Sequence, residues 1–301
     1  MFLHIETVNI CNLNCIICPC SKMTRNKETM SMELFKKVIC DYVNMGGGDV
    51  ILTPQIGDIF LDKLLPERIT YLNSVPEIHN YGFITNAIAA SRYSDEELAY
   101  IVNSCARINI SIYGMDEEEY SIMTSREGMY NQMLTSVKRI IGLNRKTMIV
   151  FGFRNLHKRS DQEIKEWIVN NFGQDIVYEV ITDYCNWAGA KDVSISLPYD
   201  ATWLPITAHD NIPCMIPLLY ATVFVNGNVK FCSCTDYDDL TDNTLGNIME
   251  NDLASIYNSG MAKEKWKHGL TRCATCNFYN SMVNIDSLSN YFDAPLLKLG
   301  M

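Results

Sequence analysis

The sequence predicts an α/β protein, a partial (βα)6 barrel of the TIM type followed by a small α+β domain. Six short apolar runs alternate with stretches of helical period over about 185 residues, and strands that alternate with helices build parallel sheets. A connector with several prolines, residues 197–213, then separates this region from a part with its own hairpin and helix. We therefore expect a barrel at 1–200, a small domain at 201–280 and a C-terminal tail at 281–301.

The barrel elements follow from the two periods of the apolar residues. Strands are expected at 2–8, 50–53, 78–85, 106–112, 147–153 and 175–182. Helices are expected at 32–45, 61–72, 95–104, 117–143 with a break near Gly128, and 161–172. Ser31 is the expected N-cap of the first helix, and Ser94 with Glu97 forms a capping box at the third.

The small domain is predicted from a hairpin at 218–233, whose turn is Asn226-Gly227-Asn228, and from a helix near 253–259. The acidic stretch at 236–242 lacks the spacing of a calcium loop, and it is expected to be a solvated loop.

Composition excludes several classes of function. The 301 residues are 48% apolar, and 25 basic against 35 acidic residues give a net charge of −10. Because no run of Lys and Arg is longer than two, a nucleic-acid partner is not expected. The longest uncharged apolar stretch, 215–225, is shorter than the roughly 20 residues that span a bilayer, so no membrane partner is expected either. The N-terminus lacks an export signal, which favours the cytoplasm.

Twelve cysteines are many for a protein in a reducing compartment, and they favour a metal or redox function. Cys40 and Cys105 lie in apolar segments and are expected in the core. Cys11, Cys15 and Cys18 form a Cys-x3-Cys-x2-Cys spacing. Three thiolates leave one iron of a 4Fe–4S cluster open to a ligand. The alternative is a structural zinc with Cys20 as fourth ligand.

This triplet after the first strand resembles the radical SAM enzymes, and the later strand ends agree with that family in order. Ile56-Gly57-Asp58 resembles the Gly-Gly-Glu motif that holds the amino group of S-adenosylmethionine (SAM), with two departures. Thr85-Asn86 is similar to a Thr-Asn-Gly motif and Ser111 begins a sequence similar to Ser-Leu-Asp-Gly. The resemblance implies that these residues contact SAM, and that Arg126 pairs with its carboxylate. Ile17 stands where relatives usually place an aromatic residue against the adenine.

A second cysteine group lies in the last third of the chain. Its expected ligands are Cys214, Cys232, Cys273 and Cys276, with Cys234 as a substitute for Cys232. Alone, this group favours a zinc ribbon. The alternative from a different class of function is therefore a zinc-binding interaction module that is not an enzyme. Beside the barrel motifs, it resembles the twitch form of the SPASM auxiliary-cluster domain. Since no cysteine follows Cys276, a second auxiliary cluster is not expected, and the cofactors implied are two 4Fe–4S clusters and SAM.

The resemblance implies that SAM is cleaved to a 5′-deoxyadenosyl radical, which abstracts a hydrogen atom from substrate. With a flavodoxin or ferredoxin as reductant and an auxiliary cluster as electron acceptor, the arrangement looks most like 2-deoxy-scyllo-inosamine dehydrogenase. We therefore expect a sugar, cyclitol or other small polyol to be oxidised from alcohol to ketone.

Two alternatives stay open. The first is maturation of a short precursor peptide, which is less favoured because strand one begins at about Phe2 and leaves no room for a leader-binding domain. The second is a redox-neutral sugar epimerase with Cys185, after strand six, as hydrogen donor. Arg154, which ends strand five, is the residue expected to orient substrate or assist its deprotonation.

Overall fold

The computed structural model describes residues 1–53, 55–206, 214, 216–233 and 236–278 of the chain. The strands are β1 Phe2–Ile5, β2 Gly48–Leu52, β3 Ile78–Thr85, β4 Arg107–Ile112, β5 Met148–Arg154, β6 Val177–Ile181, β7 Asp183–Tyr184, β8 Thr202–Trp203, β9 Tyr220–Val223, β10 Asn228–Lys230 and β11 Thr244–Asn247. The helices are α1 Met32–Asn44, α2 Leu65–Asn73, α3 Asp95–Ser104, α4 Glu117–Thr124, α5 Tyr130–Leu143, α6 Asp161–Phe172, α7 Ile216–Leu219, α8 Leu253–Tyr257 and α9 Gly260–His268.

Strands β1 to β6 form one parallel sheet in chain order, and helices α1 to α6 connect them. This confirms the α/β class and the partial barrel. On one side of β1, Leu3 and Ile5 are fully buried in the same core as Phe35 and Val38 of α1. The carboxyl ends of the strands meet at one rim, where ligand sites of such barrels lie.

Local signals set most element boundaries. Ser31 caps α1 by accepting from the Leu34 amide, and the capping box of Ser94 and Glu97 is present at α3. The predicted helix at 61–72 begins only at Leu65, because residues 59–61 form a separate short turn and Pro66 occupies the first helical turn. Strand β1 ends at Ile5 rather than at residue 8.

The C-terminal strands extend the barrel sheet, an arrangement that the sequence did not predict. Strand β9 pairs in parallel with β1, so that His4 lies opposite Thr222. The predicted hairpin is present as β9 and β10, and β11 adds a third, antiparallel strand. The chain that carries the second cysteine group is thus fixed against β1, the strand that leads into the first group.

Two sequence-based expectations are wrong. Cys40 is exposed, because it lies on the side of α1 that faces away from the sheet, whereas Cys105 is buried as expected. The acidic stretch is not a solvated loop: Asp236 is fully buried, and its carboxylate lies 3.0 Å from the Lys230 ammonium, which also pairs with Asp239 at 2.7 Å.

Some expectations fall outside the described residues, namely Cys234, the tail at 281–301 and much of the connector at 197–213. Within the described ranges, no helix has the length and apolar character needed to cross a membrane.

Candidate functional site

The first cysteine group lies on a loop that follows β1 and is held from several sides. The Asp58 amide donates to the Ile10 carbonyl at 2.8 Å, directly before Cys11. Gly57 permits this approach, since a Cβ there would lie 2.3 Å from the Val8 carbonyl oxygen, and its φ of +103° belongs to the left-handed region. The predicted motif residue Gly57 therefore positions the cysteine loop.

Asp58 joins the ends of two strands. One carboxylate oxygen accepts from the Thr85 hydroxyl at 2.8 Å and from the Asn86 amide at 2.7 Å, and the other accepts from the Phe60 amide at 3.1 Å. The side chain is buried, and burial raises its pKa against the opposing effect of these bonds. The structure thus brings three predicted SAM-binding residues together, with Asp58 bonded to protein groups.

Asn86 connects this cluster to the cysteines. The side-chain amide of Asn86 donates to the side-chain carbonyl of Asn12 at 2.9 Å, and its nitrogen lies 3.9 Å from the Cys11 sulfur. The Cys11 side of the loop is therefore lined by polar amides.

The middle of the cysteine loop rests on the end of α4 and of β4. The amides of Asn14 and Ile16 donate to the carbonyls of Thr124 and Met123 at 3.1 and 2.9 Å. Arg126 is exposed two residues beyond, so its predicted pairing with the SAM carboxylate remains a prediction.

Ser111 of β4 and Tyr113 of the turn that follows it lie beside the cysteine loop. Ser111 is buried and lies close to Tyr113, whose pKa is raised chiefly by burial. Tyr113 stands where the related motif has Asp, and its hydroxyl lies close enough to Cys15 to oppose the rise that burial causes in the pKa of that thiol.

The three thiols of the triplet lie close enough to influence one another. Burial raises the pKa of Cys18 to about 12, and burial together with the Cys18 and Cys11 charges raises the pKa of Cys15 well above its usual range. Burial likewise raises the pKa of Cys11, and Cys20 adds to that effect. Such desolvated thiols become thiolates when a cation binds them.

The predicted catalytic residues lie at the rim beside this loop. The Arg154 guanidinium folds back over Gly152 and donates to its carbonyl at 3.1 Å. A Cβ on Gly152 would lie 2.6 Å from that guanidinium and 3.3 Å from a carboxylate oxygen of Glu179 on β6, so both charged groups face one point. Burial raises the pKa of Cys185, while the charge of Arg154 acts in the opposite direction.

The second cysteine group also assembles. Burial raises the pKa of Cys214 to about 12, and the charges of Cys232, Cys276 and Cys273 raise it further. Asn243 fixes the backbone of Cys232 by accepting from its amide at 2.8 Å and donating to its carbonyl at 3.0 Å.

A buried pair of asparagines joins the loop after β7 to the second cysteine group. The Asn186 amide, directly after Cys185, donates to the Asn277 side chain at 2.7 Å, and the Asn186 side chain donates to the Thr275 carbonyl at 2.7 Å. Asn277 directly follows Cys276. These bonds fix the loop after β7 to the chain beside Cys276, while Cys185 itself lies within electrostatic range of Cys18 in the first group.

These residues fit iron–sulfur clusters. In the described ranges, no three Cys, His, Asp or Glu side chains are close enough to hold a single metal ion. A cubane cluster binds each thiolate through a separate iron and spaces the sulfurs more widely than one zinc does. Both groups hold buried or half-buried thiols in mutual electrostatic range, which suits the wider spacing.

The fold and the two cysteine groups define an iron–sulfur enzyme on a partial (βα)6 barrel. Residues 5–168, more than half of the chain, match the Radical SAM superfamily, and residues 214–277 match SPASM, an iron–sulfur cluster-binding domain. The chain belongs to the radical SAM superfamily. It therefore uses a 4Fe–4S cluster and SAM in the barrel and binds iron–sulfur in the C-terminal domain; the individual ligands remain predictions.

Solved structures share this fold at low identity. BtrN in complex with AdoMet (SAM) and 2-DOIA is 17% identical with a TM-score of 0.56, and 92% of each chain is covered. SuiB of Streptococcus suis bound to precursor peptide SuiA is 12% identical with a TM-score of 0.62, covering 92% of this chain and 70% of that one. The enzyme anSMEcpe with AdoMet and a Cp18Cys peptide is 13% identical with a TM-score of 0.56, covering 99% and 97%.

A curated relative matches part of the chain. Molybdenum cofactor biosynthesis protein moc-5 of Caenorhabditis elegans is 28% identical over 138 residues, which are 42% of this chain and 21% of the relative. The chain thus matches about a fifth of that protein's length.

Sequence reasoning missed several residues at the site. Trp187 donates its indole N–H to the Ile17 carbonyl at 3.1 Å, and Lys191 lies near Cys18 with a pKa that burial lowers. Asn12 lies within the Cys-x3-Cys-x2-Cys motif and Tyr113 within the motif that begins at Ser111, but neither residue was assigned a role. Only Tyr113 carried a signal, because it departs from the Asp of the related motif.

Proposed function

We propose that this enzyme oxidises an alcohol of a sugar, cyclitol or related small polyol to a ketone. One observation carries the proposal: the buried Asn186 and Asn277 pair sets the loop after β7 against the second cysteine group, while Arg154 faces the barrel interior next to the first. A substrate at this rim lies between the two groups. BtrN, whose structure holds AdoMet and 2-DOIA, has the same fold over 92% of its chain.

The residues of the rim supply what an alcohol oxidation needs. When bound, SAM and its cluster supply a 5′-deoxyadenosyl radical. With these groups bound, the substrate carbinol would lose a hydrogen atom to that radical and a proton from its hydroxyl, and the auxiliary cluster would accept the remaining electron, which would leave a ketone. We assign proton acceptance to the exposed Glu179 carboxylate of β6, which lies beside Gly152, and orientation of the oxygen to the Arg154 guanidinium. A closed set of four thiolates suits an electron acceptor, because no iron is left for substrate.

A redox-neutral epimerisation is favoured by one observation. A hydrogen-atom donor must be a neutral thiol, and burial raises the pKa of Cys185 so that it stays protonated at neutral pH. In that case the Cys185 thiol would return a hydrogen atom to the substrate radical, and the thiyl radical left on Cys185 would take one electron from the flavodoxin or ferredoxin reductant and one proton from solvent. The auxiliary cluster would then receive no electron from the substrate.

Peptide maturation is favoured by a different observation. Strand β6 is an edge of the sheet in the described part of the chain, and Val177 and Val180 are exposed along it. An extended peptide adds to such an edge as a further strand. SuiB and anSMEcpe, both solved with bound peptides, share the fold.

The test is an anaerobic reaction of the reconstituted enzyme with SAM and a chemical reductant in D2O. Substrates are 2-deoxy-scyllo-inosamine and a panel of cyclitols and sugars, each with deuterium on its carbinol carbons. The proposal predicts deuterium in 5′-deoxyadenosine and a ketone product. An isomer carrying solvent deuterium supports the epimerase, and transfer from peptides with none from any polyol contradicts the proposal.

The matched variants are Arg154→Gln and Arg139→Gln. Arg139 makes its ion pair with Asp95 on the helical layer, away from the strand ends. We expect Arg154→Gln to cleave SAM with little ketone, and Arg139→Gln to keep the wild-type ratio of 5′-deoxyadenosine to ketone.

A further inference from the structure

The two sides of the first cysteine loop differ in chemical character. Beside Cys11 stand the amide side chains of Asn12 and Asn86. At the other side, Trp187 from the loop after β7 donates its indole N–H to the carbonyl of Ile17, which directly precedes Cys18. One side therefore offers polar hydrogen-bonding groups and the other a large aromatic surface.

The position of Trp187 is enforced by its surroundings. Trp187 and Ala188 have φ angles of +52° and +49°, a region that side chains of this kind adopt only when the structure compels it. The loop is fixed to both halves of the molecule. Asn186 donates to Thr275 of the C-terminal domain at 2.7 Å, and Lys22, four residues after Cys18, donates to the Ala190 carbonyl at 2.6 Å.

Trp187 is half-buried, so part of its surface remains accessible. Ile17 has only an aliphatic side chain, which packs against the core. Tyr113 packs against the core and lies beside Cys15 in the middle of the loop. Trp187 is thus the ring at the Cys18 end of the loop.

SAM has a polar amino-acid end and an adenine ring at its other end. Its polarity matches the two sides of the loop, with the amino-acid end toward the amides and the base toward the indole. We propose that the indole of Trp187 is the surface on which the adenine of SAM stacks, held there by its bond to the Ile17 carbonyl.

The magnitude of this contact is measurable. Stacking of a base on an aromatic side chain is lost when the ring is removed, and affinity falls by about 5- to 100-fold. Trp187→Phe keeps a ring and is expected to weaken binding only a few-fold. Ile17→Tyr in the Trp187→Leu background places a ring on the neighbouring residue and is expected to restore part of the affinity.

The experiment measures binding of S-adenosylhomocysteine to the anaerobically reconstituted enzyme by calorimetry and by quenching of tryptophan fluorescence. Methionine is the probe that lacks the base. The matched control is Trp203→Leu, because Trp203 also donates its indole N–H to a backbone carbonyl, that of Ile195 at 2.8 Å. Iron content and visible absorption of each variant report whether the clusters are intact.

We expect Trp187→Leu to weaken S-adenosylhomocysteine strongly, to leave methionine binding unchanged and to abolish most of the quenching. Trp203→Leu is expected to bind as wild type. Unchanged affinity in Trp187→Leu overturns the proposal, and so does an equal loss for methionine, because that reports a displaced loop. If Trp187→Leu fails to load iron, the test is the comparison of wild type with Trp187→Phe. Equal quenching of tryptophan fluorescence by S-adenosylhomocysteine in these two proteins excludes stacking on Trp187.

Discussion

The Asp58 carboxylate accepts a hydrogen bond from the Thr85 hydroxyl at 2.8 Å and so joins the loop after β2 to the end of β3. The same carboxylate oxygen accepts a hydrogen bond from the backbone amide of Asn86, and the side-chain amide of Asn86 points to the Cys11 sulfur. Two motifs that are 27 residues apart in sequence therefore support the cysteine loop as one unit.

Replacing Asp58 with Ala leaves three buried donors without an acceptor, namely the Thr85 hydroxyl and the amides of Asn86 and Phe60. Each such donor costs about 1–3 kcal/mol, so we expect a lower unfolding midpoint and weaker S-adenosylhomocysteine binding. Asp95→Ala, at an exposed ion pair, is the control and should change neither. Wild-type binding and stability in Asp58→Ala would contradict a supporting role.

Gly57→Ala tests the close approach to the cysteine loop. The new Cβ would lie 2.3 Å from the Val8 carbonyl oxygen, so the loop must shift and the barrel cluster should load poorly. Gly128→Ala is the matched control, because Gly128 also has a positive φ but a Cβ there meets open space. We expect about half of the wild-type iron in Gly57→Ala and nearly full iron in Gly128→Ala; equal iron in both would refute the packing argument.

Asn277→Ala removes the partner of the buried Asn186 amide and of the Leu204 carbonyl, which receives a bond of 2.8 Å from Asn277. Because Asn277 directly follows Cys276, we expect the auxiliary cluster to lose iron faster to a chelator while the barrel cluster keeps its rate. The exposed Asn258→Ala should behave as wild type. Equal acceleration of both phases of iron release would show general destabilisation instead.

The buried His4 predicts how stability depends on pH. Neither ring nitrogen has a hydrogen-bond partner among the described residues, and burial lowers the pKa of His4 to about 3 from an ordinary 6.5. Below about pH 6.5, His4 is therefore protonated in the unfolded chain but stays neutral in the folded protein. The free energy of unfolding falls as the pH drops below that value. At pH 5.5 the loss is about 1.4 kcal/mol.

The measurement is the anaerobic thermal midpoint of wild type and His4→Phe between pH 7.5 and 5.5. The variant keeps a ring against Tyr220, at 4.1 Å in wild type, and should lose less stability on acidification. His268→Phe, at an exposed histidine, should follow wild type. Parallel curves for wild type and His4→Phe would show that His4 is not the titrating group.

Local patterns were sufficient for most of the barrel. Ser31 and the pair Ser94 and Glu97 marked helix starts correctly, since caps act within a few residues. The Cys-x3-Cys-x2-Cys spacing predicted an iron–sulfur site by itself, because those three ligands are close in sequence. The second group alone favoured a zinc ribbon, and its iron–sulfur interpretation depended on the barrel motifs. The strand-end motifs at Asp58, Thr85 and Asn86 do meet, as parallel strands require.

Contacts between residues far apart in the chain could not be predicted from the sequence. Nothing local indicates that β9 pairs with β1 across more than 200 residues. The ion pair of Lys230 and Asp236 joins residues only six positions apart, but an acidic run usually lies in solvent, and its burial here depends on the tertiary fold. Trp187 was missed for the same reason, since its relation to Ile17 spans 170 residues.

The central claim, two iron–sulfur sites on one chain, is tested most directly by counting iron and sulfide after anaerobic reconstitution of wild type and of the Cys11→Ala/Cys15→Ala/Cys18→Ala variant. Two cubane clusters predict about eight iron and eight sulfide per wild-type chain, and about four of each in the variant, which should form no 5′-deoxyadenosine. Stoichiometric zinc without charge-transfer absorption in wild type, or the loss of all iron in the variant, would contradict the account.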